Sequence, residues 1–337
     1  MDDSLDPSSI RELTEHLKAG TPEDVRECLD AFLRTEPERR KQLLRALRSI
    51  ADDQPSTVCP YAPGFVRFLT DEDRSVRLTT AKLFVALARG NPDAVVAAVG
   101  PLADRVADPD EFYYVRSRTA EALGYVAIEH PAEVATPELL ADLRIGLSFD
   151  EPEVKEKLAK ALAHVALGDP GRLCHQISTF AEHLDDEDEL VRYHLCTAIV
   201  AVGCEHPKTL VDAVDELAAR LGDDCTHVRG RAAEALGLLA RTGVDPTGVP
   251  DDRLVAMVDA EDEPFAIDRA RYALAALDDG PPDGECGDAI GSVAAIREHT
   301  DDVVAEVTTA DGGECPRCEL ALPKSAPPVC PRCGTPY

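Results

Sequence analysis

The residues best equipped for chemistry lie near the C-terminal end: Cys315-Pro316-Arg317-Cys318 and, after eleven residues, Cys330-Pro331-Arg332-Cys333. Each Cys-x-x-Cys can turn as a knuckle that aims two thiolates at one point. Two knuckles supply the tetrahedral four-sulfur set that Zn2+ takes in structural sites. The loop between them is shorter than the common spacing of about 15–20 residues, but the paired Cys-Pro-Arg-Cys is specific. Four thiolates leave no open coordination position, so the expected cofactor is structural Zn2+ on Cys315, Cys318, Cys330 and Cys333, not a catalytic metal. The segment is too short for a hydrophobic core, and metal binding would supply its folding free energy. Iron on four thiolates uses similar knuckles, but the aromatic shell of such sites is missing. A redox dithiol needs a βαβ context that the flanking sequence lacks.

The second constellation is basic and depends on a repeat. An acidic turn is followed by Val-Arg, then Ala five residues past the Val and an apolar residue eight past it. The Val falls at Val76, Val115, Val154, Val191, Val228 and, degenerately, Ile267, in steps of 39, 39, 37, 37 and 39 residues. With the Val as position 0, positions 0, 5, 8 and 11–12 share one face of a helix of period 3.6. Position 3 holds Arg118, Lys157, His194 and Arg231, with Lys82 and Lys160 at position 6. The period places this basic ridge opposite the packed face, as a candidate partner-binding strip for an acidic peptide or a phosphate backbone. The structural alternative is surface pairing of Arg118 with Glu121 and of Arg231 with Glu234, each three residues apart on one helix. Position 1 is Arg77, Arg116, Arg192 and Arg229, with Lys155 in the third unit. These are expected to pair with turn acids such as Asp73, Asp150, Asp188 and Asp224.

A period of this size means stacked supersecondary units. A proline opens each return segment at Pro92, Pro131, Pro170, Pro207 and Pro246. The residue before it (Asn91, His130, Asp169, His206 or Asp245) is the expected cap, since a proline at the first helical position has no N–H to leave unpaired. Glu129-His130 and Glu205-His206 are read as such caps, not as a metal pair. The stretches Asp73-Arg74-Ser75-Val76-Arg77, Tyr114-Val115-Arg116, Leu190-Val191-Arg192 and His227-Val228-Arg229-Gly230-Arg231-Ala232-Ala233 resemble HEAT repeats. The resemblance implies an all-α fold, a right-handed α-solenoid of HEAT-like helix pairs with the second (B) helix of each pair lining the concave side. The cysteine segment resembles a small zinc ribbon. Four regions are expected. Residues 1–59 form an N-terminal helical cap, 60–278 the repeat array, 279–311 a linker and amphipathic helix placed to close the array, and 312–337 the zinc ribbon.

The formal net charge is −29, from 64 acidic and 35 basic side chains, with no tryptophan. Acid-rich, lysine-poor, aromatic-poor chains resemble the proteins of halophilic archaea. In molar salt the Debye length is about 3 Å, so the charge balance does not exclude nucleic acid as a partner. The N-terminus, Met1-Asp2-Asp3-Ser4, has no signal-peptide character, and no apolar run has the length of a membrane span. The expected location is the cytoplasm. No phosphate-binding, dinucleotide or nucleophile-elbow motif is present. The His-Glu dipeptides of HEAT-like di-iron hydroxylases are missing, and so is an aromatic cluster on the ridge beyond Tyr125 and Tyr193. The expected function is a non-enzymatic scaffold or adaptor that binds a protein partner on its concave surface, with the zinc segment as second recognition element. The alternative is a nucleic-acid-associated factor touching phosphate through the ribbon and the ridge. Neither a membrane nor a small-molecule substrate is implied.

Overall fold

The computed structural model describes residues 7–19, 22–243, 249–260, 263–278 and 290–309. The four cysteines of the expected zinc segment lie outside them, as do Thr21, Asp245 and Pro246. Among the described residues the regular elements are helices.

Three helices come first: α1 (Pro7–Ala19), α2 (Pro22–Phe32) and α3 (Pro37–Asp53). The B helices of the repeat follow as α4 (Arg74–Gly90), α5 (Tyr113–Glu129), α6 (Pro152–Gly168), α7 (Glu189–Glu205), α8 (Thr226–Ala240) and α9 (Pro264–Leu277). A last helix, α10, spans Val293–Thr309. The return segments are broken: a short 3-10 or one-turn stretch opening at the proline, then a short helix such as Val99–Ala107 or Val214–Arg220. Proline restricts the residue before it and ends α4 to α7, with Asn91 and Asp169 extended (φ −161°, ψ 93° and φ −153°, ψ 94°) and His130 and His206 out of the helical region (φ −127° and −126°, ψ 56°). Of the expected proline caps, Asp169 accepts from the Gly171 N–H, whereas Asn91, His130 and His206 make no side-chain cap bond.

Packing divides the chain into two compact units, Met1–His183 and Leu184–Tyr337. Helix α3 packs on α4 like any other repeat neighbour, and Arg40 at its start clasps Asp71, with Nε at 2.7 Å and Nη2 at 2.9 Å from the carboxylate oxygens. Within each unit, successive B helices lie side by side: α3, α4, α5 and α6 in the first, α7, α8 and α9 in the second.

Position 0 is buried throughout, at Val76, Val115, Val154, Val191 and Val228. In the last unit the buried residue is Ala266, while Ile267 is half-buried. The register there is one residue earlier than the sequence suggested, and position 3 becomes Arg269.

Small residues set the helix spacing. A Cβ on Gly124 would stand 2.9 Å from the Ala161 Cα, and one on Gly168 only 2.0 Å from the Ala127 carbonyl oxygen. A backbone atom cannot move aside as a flexible side chain can, so Gly168→Ala is expected to cost about 3 kcal/mol by overpacking. Gly100, whose added Cβ would meet nothing within 4 Å, is the control: Gly100→Ala in its exposed helix should stabilise by about 0.5–1 kcal/mol. Urea denaturation of the two variants checks both signs.

Candidate functional site: charged rungs on the B-helix face

Two sets of charged contacts link B helices within each compact unit. The first involves position 1 and the acidic turns. Asp73 and Asp188 cap α4 and α7, accepting from Ser75 and Val76 N–H and from Leu190 and Val191 N–H respectively. Both thus serve as helix caps, and the carboxylates that Arg77 and Arg192 grip are those of the next turn. Arg77 donates to its own turn through the carbonyls of Asp71 and Glu72 and grips Glu111 of the next turn with Nε and Nη2, both at 2.8 Å. Arg192 repeats this with the carbonyls of Asp186 and Glu187 and with Asp223, at 2.8 and 2.7 Å. Two-pronged geometry of this kind makes the strong guanidinium–carboxylate contact. Arg116 departs from the pattern: it donates to the Val106 carbonyl and lies over the Phe149 ring.

The second set is the expected basic ridge, and here the structure corrects the reading. Position 3 is not opposite the packed face. Arg231 and His194 have no exposed surface, Lys160 is buried, and Arg118, Lys157 and Lys82 are half-buried. Side chains at positions 3, 6 and 10 of one B helix lie against those of the next. Glu121 accepts from Arg118 on its own helix at 2.7 Å and receives Lys157 and Lys160 of α6 at 3.7 and 3.8 Å. Lys160 also donates to the Tyr125 hydroxyl at 2.7 Å, and the His164 ring stacks on Tyr125. In the second unit Glu234 accepts from Arg231 at 2.8 Å and from Arg269 of α9 at 2.9 Å, and both arginines face the Phe265 ring. The pairs Arg118–Glu121 and Arg231–Glu234 therefore exist, but as interior pairs, not as solvated surface pairs. Arg269 escaped the sequence reading because the last repeat was placed one residue late; its signal was the apolar Ala266 and Ala270 in the shifted register.

The expected amphipathic helix also has a definite seat. Gly291 N–H donates to Glu234 Oε1 at 2.9 Å. Its φ of 78° and a would-be Cβ 2.5 Å from the Tyr272 hydroxyl leave room only for glycine. From there α10 packs on α7, burying Ile296, Thr300 and Val303 at spacings of four and three. The second unit thus carries part of its own chain over the B helices.

Electrostatics follow from these neighbours. Burial opposes the charge of Glu121, but Lys157, Arg118 and Lys160 outweigh it and bring its pKa down to about 2. Burial, reinforced by Lys160, pushes His164 down to about 3, so the imidazole is neutral. Burial also opposes ionisation of Glu234, yet Arg231, Arg269 and the Gly291 N–H hold its pKa below the usual range. Lys82 is lowered to about 8 by burial and then by Arg118 and Arg48. The cysteines among the described residues are unpaired thiols. Cys196, at the small position of α7, is buried and pushed up to about 12. No group of three or more metal-ligating side chains occurs among the described residues, and none of their helices is long and apolar enough to cross a membrane.

Comparison with known proteins supports the fold that these contacts build. Residues 177–275 match the HEAT repeats family. Among solved structures, one engineered protein is 23% identical with a TM-score of 0.61, over 90% of this chain and 80% of the other. Another is 22% identical with a TM-score of 0.57, over 65% and 97%. A designed armadillo repeat protein in complex with the peptide (KR)4 is 17% identical with a TM-score of 0.54, over 68% and 99%. No curated protein matches. The fold is that of an α-solenoid of HEAT- and armadillo-like helical repeats.

The depressed pKa values make stability pH-dependent. Both groups bind protons more tightly in the unfolded chain, so their contribution is complete above the unfolded pKa and lost as pH falls towards the folded one. For His164 that window runs from 6.5 to about 3, and for Glu121 from 4.5 to about 2. Glu121→Gln is expected to lower stability at pH 7 and to flatten the loss between pH 4.5 and 2 by on the order of 3 kcal/mol. Urea denaturation across pH measures it, and an unchanged slope would contradict the assignment.

Proposed function

We propose that the protein is a non-enzymatic binding scaffold that receives a protein partner on the B-helix face of its first unit, residues 74–168. The observation that carries this reading is the uneven use of two similar faces. In the second unit the face is sealed by Gly291 and α10. In the first, Lys82, Arg118 and Lys157 keep part of their surface in solvent and lie in a groove-forming fold. The designed armadillo repeat protein solved with a (KR)4 peptide shares this fold, which supports peptide recognition as its use here. Of the ridge residues, Lys82, Arg118 and Lys157 belong to this proposed surface, and the buried Lys160 lies beneath it, holding Glu121 and Tyr125. His194 and Arg231 do not, because both are interior.

The C-terminal segment is the second recognition element in this proposal. Its donor set of four thiols in two Cys-Pro-Arg-Cys knuckles suits Zn2+, held by Cys315, Cys318, Cys330 and Cys333. Bound zinc would supply the folding free energy of a segment with too few apolar residues for a core. The acid-rich composition is read as adaptation to high salt, of the kind halophilic archaea show, and the location as cytoplasmic.

Affinity capture from lysate at native salt, with and without nuclease, tests the scaffold. A protein partner retained after nuclease is expected. A partner set that vanishes with nuclease would overturn this reading in favour of nucleic-acid association. Metal analysis tests the tail separately: one zinc per chain is expected, lost in the double variant Cys315→Ser, Cys330→Ser. Zinc retained in that variant would refute the site.

A further inference from the structure

Two steps of the B-helix face share one rule; at a third, between α7 and α8, position 6 is the uncharged Thr197. The position-6 side chain of a helix meets the position-3 side chain of the next. Glu121 meets Lys157 at 3.7 Å, and Glu234 meets Arg269 at 2.9 Å. In both steps a carboxylate stands between the cation three residues before it and the cation on the following helix. One step earlier in the first unit, between α4 and α5, the same two positions hold Lys82 and Arg118. A cation meets a cation where the other two steps place an anion.

One acid, the exposed Glu153, acts on both Lys82 and Arg118 and offsets the step only in part. Arg45 and Arg48 approach Lys82 from α3. Arg45 is exposed and reaches only the exposed Glu38. Arg118 is already engaged with Glu121. Of the acids on the neighbouring helices, Glu156 is taken by Lys157 at 2.7 Å, and the exposed Glu153 hydrogen-bonds Tyr114. With Arg45 set against Glu38, the local tally is five cations (Arg48, Lys82, Arg118, Lys157 and Lys160) against three carboxylates (Glu121, Glu153 and Glu156), in a chain whose overall charge is −29. With acidic residues so abundant, a fold that left this rung empty for stability alone has no evident gain. Mutual repulsion and burial are what lower the Lys82 pKa to about 8.

We propose that the Lys82–Arg118 step is a carboxylate-binding site, in which an Asp or Glu side chain of an acidic partner segment inserts between the two cations and completes the missing rung. This rests on the scaffold reading and names the chemistry of the partner. The site is half-buried, so salt screens it less than it screens a surface pair. Inserted charge would also return Lys82 to its ordinary, fully protonated state.

The test uses the full chain and a fluorescein-labelled Glu-rich peptide, its Gln-for-Glu counterpart, and inorganic phosphate as competitor. Anisotropy should show binding of the Glu peptide, at least tenfold weaker binding of the Gln peptide, and at least tenfold loss in Lys82→Gln. Lys82→Glu supplies the rung from within. It should abolish peptide binding and raise the melting temperature, because Arg118 then faces an internal carboxylate as Lys157 and Arg269 do. Peptide affinity unchanged in Lys82→Glu, or a lowered melting temperature for that variant, would overturn the proposal. Displacement of the peptide by millimolar phosphate would equally overturn it, since a free anion would then suffice. If lysate capture returns a protein partner while these binding results fail, the scaffold reading stands and only the carboxylate site falls.

Discussion

The stack depends on one contact: an arginine at the start of a B helix that holds the acidic turn of the following unit. Arg40 with Asp71, Arg77 with Glu111 and Arg192 with Asp223 each place a guanidinium fork on a carboxylate. The acceptor is itself fastened to backbone: Glu111 accepts from Phe112 N–H, and Asp223 from Cys225 N–H. The acid that closes the rung is thus also part of the turn that starts the next helix. With the turns tied, the Gly and Ala positions allow the B helices to touch, and their inward side chains meet in fixed pairs. The rungs at positions 3 and 6 lie at other steps, between α5 and α6 and between α8 and α9.

Burying these charges is costly unless each is fully paired. Glu234 shows how far pairing is carried: two arginines and a backbone N–H serve one carboxylate that has almost no exposed surface. The third donor comes from Gly291, a residue remote in sequence, which ties the seat of α10 to the same charge. In the first unit Glu121 is served by Arg118 of its own helix and by Lys157 and Lys160 of the next. The two units therefore use one electrostatic device to two ends. One anchors the segment leading into α10, and the other leaves Lys82, Arg118 and Lys157 partly in solvent.

Much of this was legible in the sequence. Val76, Val115, Val154, Val191 and Val228 marked the buried seam because helical period reports one helix's own core face. The partners of the position-1 arginines were misjudged for a related reason. Asp73 and Asp188 are near in sequence and spend their oxygens on capping, while Glu111 and Asp223 are brought in by packing. The ridge was read as exposed because a single helix wheel cannot show a neighbour about 37 residues away lying over it. Arg269 was missed through a one-residue slip at Ile267, where the Val of the motif is replaced by Ala266. The seat of α10 on α7 has no sequence signal beyond the apolar spacing of Ile296, Thr300 and Val303. The four-cysteine segment was read from its spacing alone.

The claim that these rungs hold the stack is tested most directly by a double-mutant cycle on Arg192 and Asp223, measured by urea denaturation. Asp223→Ala should cost about 3–5 kcal/mol, because it strips the buried Arg192 of its carboxylate, and Arg192→Met about 2–3 kcal/mol, because Arg220 still holds Asp223 at 3.2 Å. The double variant should cost no more than the worse single change, a coupling of at least about 2 kcal/mol. Losses that simply add, within about 0.5 kcal/mol, would show two independent side chains and contradict the account.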